Sequence, residues 1–304
     1  MVMKSLSIMA FLFPLLNKNL ATKIVGSHRV VPKLIKSFSI NEECVNINEN
    51  KWLHNEHTLY LKDNEYIKDK KLISISPGGF KGFYMLGIAS FIKENYDLEK
   101  YIYSGASAGA WNSLFMTFKH DPIEFIIEML DEKLNNAISN IDVEYAIKYK
   151  ILNKYSEDDF DLKRLFIGVT SFENMKIKTH IFSDFDTLEN ALNCCIASSH
   201  IPYITGSTFL NKYQNMNAFD GGFSKYPYLN VIKPSLHITP EIWKDGKQEN
   251  SQKTYVEKLL TFQSHVSDYT TLFSRSKYNF ADLFDKGYND AKNNKQFLDN
   301  KLIN

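Results

Sequence analysis

The sequence predicts an α/β fold built on a largely parallel sheet, and three observations carry that expectation. Short β-like runs alternate along the chain with amphipathic helical runs. The first two such pairs each join strand to helix through a turn of small residues, "SPGGFKG" and "SGASAGA". At 304 residues and 44% hydrophobic, the chain has enough apolar surface for one substantial core.

The elements follow in order. "KLISISPGG" alternates Leu72, Ser74 and Ser76 with Ile73 and Ile75, a strand that runs into glycines. "FYMLGIASFIKENY" then places Phe83, Leu86, Gly87, Ser90 and Phe91 at helical spacing. "KYIYSG" and "AGAWNSLFMTFK" repeat strand, turn and helix. Residues 121–136 read as a helix with Asp121 as cap and Pro122 at its first position. "RLFIGVTSF" and "KIKTHIFS" form a hairpin across "ENM". "LENALNCCIASSHIPYI" is a helix stopped before Pro202, "YQNMNAFDGGFSKYP" a strand ending in glycines, and "YLNVIKPSLHITP" a further strand. From about 250 the pattern is amphipathic, with Val256, Leu259, Leu260, Val266, Leu272 and Phe273 near one face. Residues 291–304 form a polar tail with a frayed end.

Charge and cysteine usage exclude several classes. Lys and Arg number 36 against 35 Asp and Glu, so no overall field attracts nucleic acid. Only Arg29, Arg164 and Arg275 are arginines, which further weakens the case for bidentate phosphate or base recognition. Cys44 and the adjacent pair Cys194 and Cys195 show neither disulfide nor metal-ligand spacing and read as reduced thiols. "HNEH" (54–57) places two histidines three apart without a third ligand nearby. Residues 1–41 contain no acid and carry a short apolar run, "LSIMAFLFPLL", about half the length needed to span a bilayer. That leader fits a signal peptide, an organellar transit peptide or a membrane-contact segment.

Three stretches carry chemistry. Ser107 lies in Gly105-Ala106-Ser107-Ala108-Gly109, between a strand and a helix, where a strained turn exposes a hydroxyl for attack on a carbonyl. "PGGFKG" (77–82) follows the neighbouring strand and lets backbone N–H groups converge on an anion, either an oxyanion or a phosphate. It lacks the Gly-Lys-Ser/Thr ending of a P-loop and the spacing of a dinucleotide fingerprint. "FDGGF" (219–223) holds Asp220 in a tight turn, where desolvation can raise its pKa enough to take the serine proton. A Ser-Asp-His order would instead call on His237 or His265, while His180 and His200 read as structural.

Together "PGGFKG", "GASAG" and "DGG" resemble the patatin-like phospholipases. "CCIASSHIPYITGS" and "PGGFKGFYMLGIASFIKENY" are most similar to the branch that contains adipose triglyceride lipase, over about residues 70–235. The resemblance implies a three-layer α/β/α fold in a domain spanning 42–290, between the leader 1–41 and the tail 291–304. It also implies hydrolysis of lipid acyl esters by a Ser-Asp dyad, without metal or organic cofactor, at a membrane or lipid-droplet surface. Carried over by motif, Ser107 is the nucleophile, Asp220 the base, and Gly78, Gly79, Phe80, Lys81 and Gly82 the oxyanion turn. One departure is Pro77, where the family often has a first glycine; proline has no N–H to donate there. Lys81 matches the family's usual basic residue. Phospholipids, lysophospholipids, acylglycerols and retinyl-type esters all offer such a site an ester. A different class of reading is a lipid-binding protein that keeps the fold without turnover.

Overall fold

Alternation decides how the sheet buries its two faces. The computed structural model describes residues 56–60, 64–130, 134, 140–173, 176–202, 205, 211–224, 226–244 and 279–303. Its strands are β1 (Glu56–Tyr60), β2 (Lys71–Ile75), β3 (Tyr101–Gly105), β4 (Leu165–Glu173), β5 (Lys176–Phe182), β6 (Asn211–Tyr213), β7 (Met216–Phe219) and β8 (Pro234–Ile238). The helices are α1 (Gly82–Asn95), α2 (Ala108–Thr117), α3 (Pro122–Met129), α4 (Asn140–Lys154), α5 (Leu188–Ser198), α6 (Phe280–Asn293) and α7 (Lys295–Leu302). The sheet order is β1-β5-β4-β3-β2-β8, with the β6–β7 hairpin joined to β4. The pairs β1–β5, β4–β3, β3–β2 and β2–β8 are parallel, while β4–β5, β4–β7 and β6–β7 are antiparallel.

One face of this mostly parallel mixed sheet presents Ile73, Ile75, Tyr103, Leu165 and Ile167 to a large core that includes Met85, Ile88, Leu114 and Phe115 of α1 and α2. The other face presents Leu72, Ile102, Phe166 and Ile181 to Ile67 and Leu229. Layers on both faces of a central sheet make the three-layer α/β/α arrangement expected of the sequence. Strands β2 and β3 lie side by side in parallel, so their C-terminal ends, and the turns that follow, open at the same edge. The α3 helix starts as its sequence dictates. Asp121 accepts the Ile123 N–H at 2.9 Å and Pro122 fills the first helical position.

Three features differ from the sequence-based expectation. "YQNMNAF" is not one strand but the β6–β7 hairpin, because Gln214 and Asn215 adopt positive φ (42° and 65°) and turn the chain back. Helix α4 went unassigned because Asn140–Lys154 mixes polar residues around most of its circumference. The polar tail is not frayed. Residues 295–302 form α7, where Leu298 and Leu302, one turn apart, are buried, Tyr96 Oη donates to Asp299 at 2.8 Å and Tyr101 Oη to the Leu302 carbonyl at 2.9 Å. A two-residue apolar stripe in an eight-residue helix is too short to stand out by periodicity. The amphipathic run 256–273, the leader and "HNEH" up to Glu56 lie outside the described residues.

Helix α6 is clamped to α1 by backbone contact. A Cβ on Gly87 would sit 2.1 Å from the Phe284 carbonyl oxygen, and one on Gly287 would sit 1.9 Å from that of Tyr84. Phe280 stacks on Phe83 with ring centroids 4.0 Å apart, and Tyr84 Oη donates to Asp290 at 2.7 Å. Gly287→Ala is therefore expected to destabilise the protein by roughly 2 kcal/mol or more through overpacking. Thermal melting would register the loss, and limited proteolysis should first cut at the two C-terminal helices.

Candidate active site

The turn after β3 is built by close approach of three backbones. A Cβ on Gly105 would lie 2.0 Å from the Gly109 carbonyl oxygen, and one on Gly109 would lie 2.1 Å from that of Ile75. Only glycine at both positions lets α2 start directly against the ends of β2 and β3. Between them Ser107 adopts φ 54°, ψ −129°, a conformation that L-residues rarely enter. Ser198 Oγ holds it there, accepting the Ser107 N–H at 2.8 Å and donating to the Gly168 carbonyl at 2.7 Å. The Ser107 side chain thus stands at the N-terminus of α2, whose dipole favours negative charge.

Asp220 reaches the serine from a separate element. It ends β7, which pairs with β4 at Thr170–Phe219, and its N–H donates to the His200 carbonyl at 2.8 Å. Gly221 allows the turn to close, since a Cβ there would meet Ala106 at 2.4 Å. The Asp220 carboxylate accepts the Gly222 N–H at 2.6 Å, and the Ser107 hydroxyl is its hydrogen-bonding neighbour. Burial pushes Asp220 up to about 6, against the lowering effect of those two donors.

The glycine turn after β2 is a single 3₁₀ turn, Gly79–Lys81, with Gly79 at φ 52°. The Lys81 N–H donates to Gly78 and the Gly82 N–H to Gly79 and Phe80, so both amides are used within the turn. Of the five predicted turn residues, Gly79, Phe80 and Gly82 line a cavity that also reaches Ser107. This open cavity encloses about 790 Å³, mouth included. Its apolar wall comes from Phe83 and Leu86 of α1, Phe125 and Met129 of α3, and Val143 and Ile147 of α4.

The structure brings Ser107, Asp220 and the glycine turn together at one edge of the sheet. Of the histidines, His237 Nδ1 pairs with Ser74 Oγ at 2.8 Å, on the sheet face opposite α2, His180 Nε2 pairs with Ser171 Oγ at 2.7 Å, and His200 meets Asp220 through its backbone carbonyl. His265 lies outside the described residues. Cys194 and Cys195 are free and buried, and burial pushes both thiols up. Sequence reasoning missed Ser198, Ser199, Trp111 and Glu144. The Trp111 Nε1–H donates to Ser199 at 3.0 Å, and Ser199 in turn lies against the buried Glu144 carboxyl. Burial raises Glu144 well above the usual carboxylate range, with the charge on Asp220 adding to the effect. Nothing in the local pattern of "NIDVEYAIKYK" marks that glutamate as buried.

A family model described as patatin-like phospholipase matches residues 73–231, more than half of the chain, and spans the glycine turn, Ser107 and Asp220. No curated protein matches the sequence.

Two stability measurements follow from this geometry. Ser107→Gly is expected to be about 1 kcal/mol more stable than Ser107→Ala, the reverse of the usual order, because both lose the hydroxyl and only alanine keeps the strain. Asp220 ionises near 4 when unfolded and near 6 when folded, so its ionisation favours the unfolded chain as pH rises through that interval. Asp220→Asn should therefore match wild type below pH 4 and exceed it above pH 6, by on the order of 3 kcal/mol, in urea titrations.

Proposed function

The chain belongs to the patatin-like phospholipase family, whose members are lipid acyl hydrolases, and from that premise we propose that it cleaves carboxylic esters of lipids by a Ser107-Asp220 dyad. The observation that carries the reading is the Ser107 hydroxyl set against a buried carboxylate at the edge of an apolar cavity. Ser107 Oγ attacks the ester carbonyl carbon while its proton passes to Asp220. The carbonyl oxygen, now an oxyanion, receives N–H donation from the Gly79–Phe80 segment and the favourable dipole of α2. Asp220 then returns the proton to the departing alcohol, leaving an acyl-enzyme. Water, deprotonated by Asp220, releases the acid and restores the serine. No step calls on a metal or organic cofactor.

The long apolar wall supports an acyl chain as the bound portion. Ile123 and Ile127 on α3, and Tyr145 and Tyr149 on α4, are exposed at one-turn spacing on helices that also line the cavity. That arrangement supports presentation of the cavity to a membrane or lipid-droplet surface. Among the described residues no helix is long and apolar enough to cross a membrane. Within the family we favour the branch that contains adipose triglyceride lipase, on "CCIASSHIPYITGS" and the run from Pro77 through α1.

The test is a fluorophosphonate probe with wild type, Ser107→Ala and Asp220→Asn, followed by a panel of lipid esters. Wild type should label and turn over, Ser107→Ala should do neither, and Asp220→Asn should lose at least about a hundredfold in kcat. A folded wild type that does not label, or an Asp220→Asn variant of undiminished activity, would remove the dyad. Because the base must be ionised to accept the proton, kcat/KM should rise with pH through about 6 and then level off.

A further inference from the structure

The cavity wall carries a second acid that the proposed dyad does not use. Glu144, on α4, is buried and lines the cavity shared with Ser107. The other polar side chains of that wall are engaged with protein. Asn112 Nδ2 donates to the Gly82 and Ala108 carbonyls, both at 3.0 Å. Thr205 Oγ1 donates to the Ser199 carbonyl and accepts the Ile201 N–H. Ser199 Oγ donates to the Cys195 carbonyl at 2.8 Å and accepts the Trp111 Nε1–H at 3.0 Å. A serine hydroxyl has one proton. Ser199 also lies within hydrogen-bonding reach of the Glu144 carboxyl, whose pKa burial raises well above the usual carboxylate range. Glu144 thus brings a carboxyl group with acceptor capacity to the cavity wall, and among the described residues Ser199 is its one hydrogen-bonding neighbour.

We infer that Glu144 is a specificity-determining residue, whose carboxyl oxygen accepts a hydrogen bond from a hydroxyl group of the substrate. The inference rests on the proposed site at Ser107. An acceptor in an apolar wall discriminates by what it loses when unpaired. A substrate that supplies the donor binds with the wall satisfied, and a plain alkyl analogue leaves the oxygen buried and unpaired. The donor can come from a hydroxylated acyl chain or from a free hydroxyl of a partial acylglycerol, and the two sources are separable by experiment.

The full-length wild type is compared with Glu144→Gln and Glu144→Met. Glutamine keeps the length and an acceptor, its carbonyl oxygen. Methionine keeps the length and removes the acceptor. Two matched substrate pairs are used: p-nitrophenyl esters of a plain and a hydroxylated fatty acid, and the methyl and glycerol monoesters of one fatty acid. Wild type and Glu144→Gln are expected to favour the hydroxyl-bearing member of one pair by about fivefold to tenfold in kcat/KM. Glu144→Met should bring that ratio close to one, and the pair that shows the preference identifies the source. Serine-dependent turnover with no preference in either pair overturns this inference alone, as does a preference kept by Glu144→Met or lost in Glu144→Gln. No turnover of any of the four esters overturns the reading of the dyad and this inference with it. The wild-type and Glu144→Gln ratios decide the matter even where Glu144→Met does not fold.

Discussion

The contact between the start of α2 and the ends of β2 and β3 is the constraint on which the site depends. At Gly105 and Gly109 the backbones come so near that an added Cβ would lie about 2 Å from a carbonyl oxygen. Close packing of this kind leaves one direction for the residue between them, and Ser107 enters a positive-φ conformation because its neighbours allow nothing else. The same contact fixes the distance from Ser107 to the glycine turn, since Gly82 at the start of α1 faces Ala108 with room for no more than a hydrogen. It also fixes the approach of Asp220, whose following residue, Gly221, packs on Ala106. Four glycines on three separate turns therefore share one steric requirement. The side chains of the proposed dyad are held by backbones, which move less than side chains do.

A second layer of restraint is polar. Ser198 ties the Ser107 N–H to the Gly168 carbonyl of β4, and the Asp220 N–H is tied to His200 just beyond the helix that carries Ser198. Helix α5 is thus a bridge between the two halves of the proposed dyad, although neither half lies on it. Loss of one of these bonds would leave a buried amide or carbonyl unpaired, which costs more than the bond contributes when made. This explains why "ASSHIP" is part of the resemblance while containing no residue with a proposed chemical role.

Legibility in the sequence followed the range of the interaction. Strands β2 and β3, helices α1 and α2 and the β4–β5 hairpin were readable because their alternation or helical spacing is local and their boundaries are glycines or a cap. Ser107, Asp220 and the glycine turn were readable because the backbone demands small neighbours, and small neighbours are visible as letters. Glu144 was not, because Ser199, against which it lies, is far away in the chain, and its own helix is mixed in polarity. The β6–β7 turn was hidden for another reason: Gln214 and Asn215 reverse the chain without a glycine. Helix α7 is held by Tyr96 and Tyr101, about two hundred residues earlier, so no window on its own sequence could reveal it.

Two buried acids on one site raise the question of why they differ. Burial raises both. The difference lies in the donors each receives. Asp220 accepts the Gly222 N–H and the Ser107 hydroxyl, and these hold it near 6, where it can accept a proton and still release it. Glu144 has Ser199 alone, whose proton is drawn to the Cys195 carbonyl, and it meets the charge of Asp220 besides. Ionising Asp220 therefore makes Glu144 harder to ionise. In the proposed mechanism, an apolar cavity that binds an acyl chain tolerates one charge when that charge is hydrogen-bonded and serves as the base. A second would weaken the first as a donor-held carboxylate and draw water toward the ester. In the proposed mechanism, the N–H and O–H groups aimed at each carboxyl distinguish the acid that transfers the proton from the acid that stays in the wall.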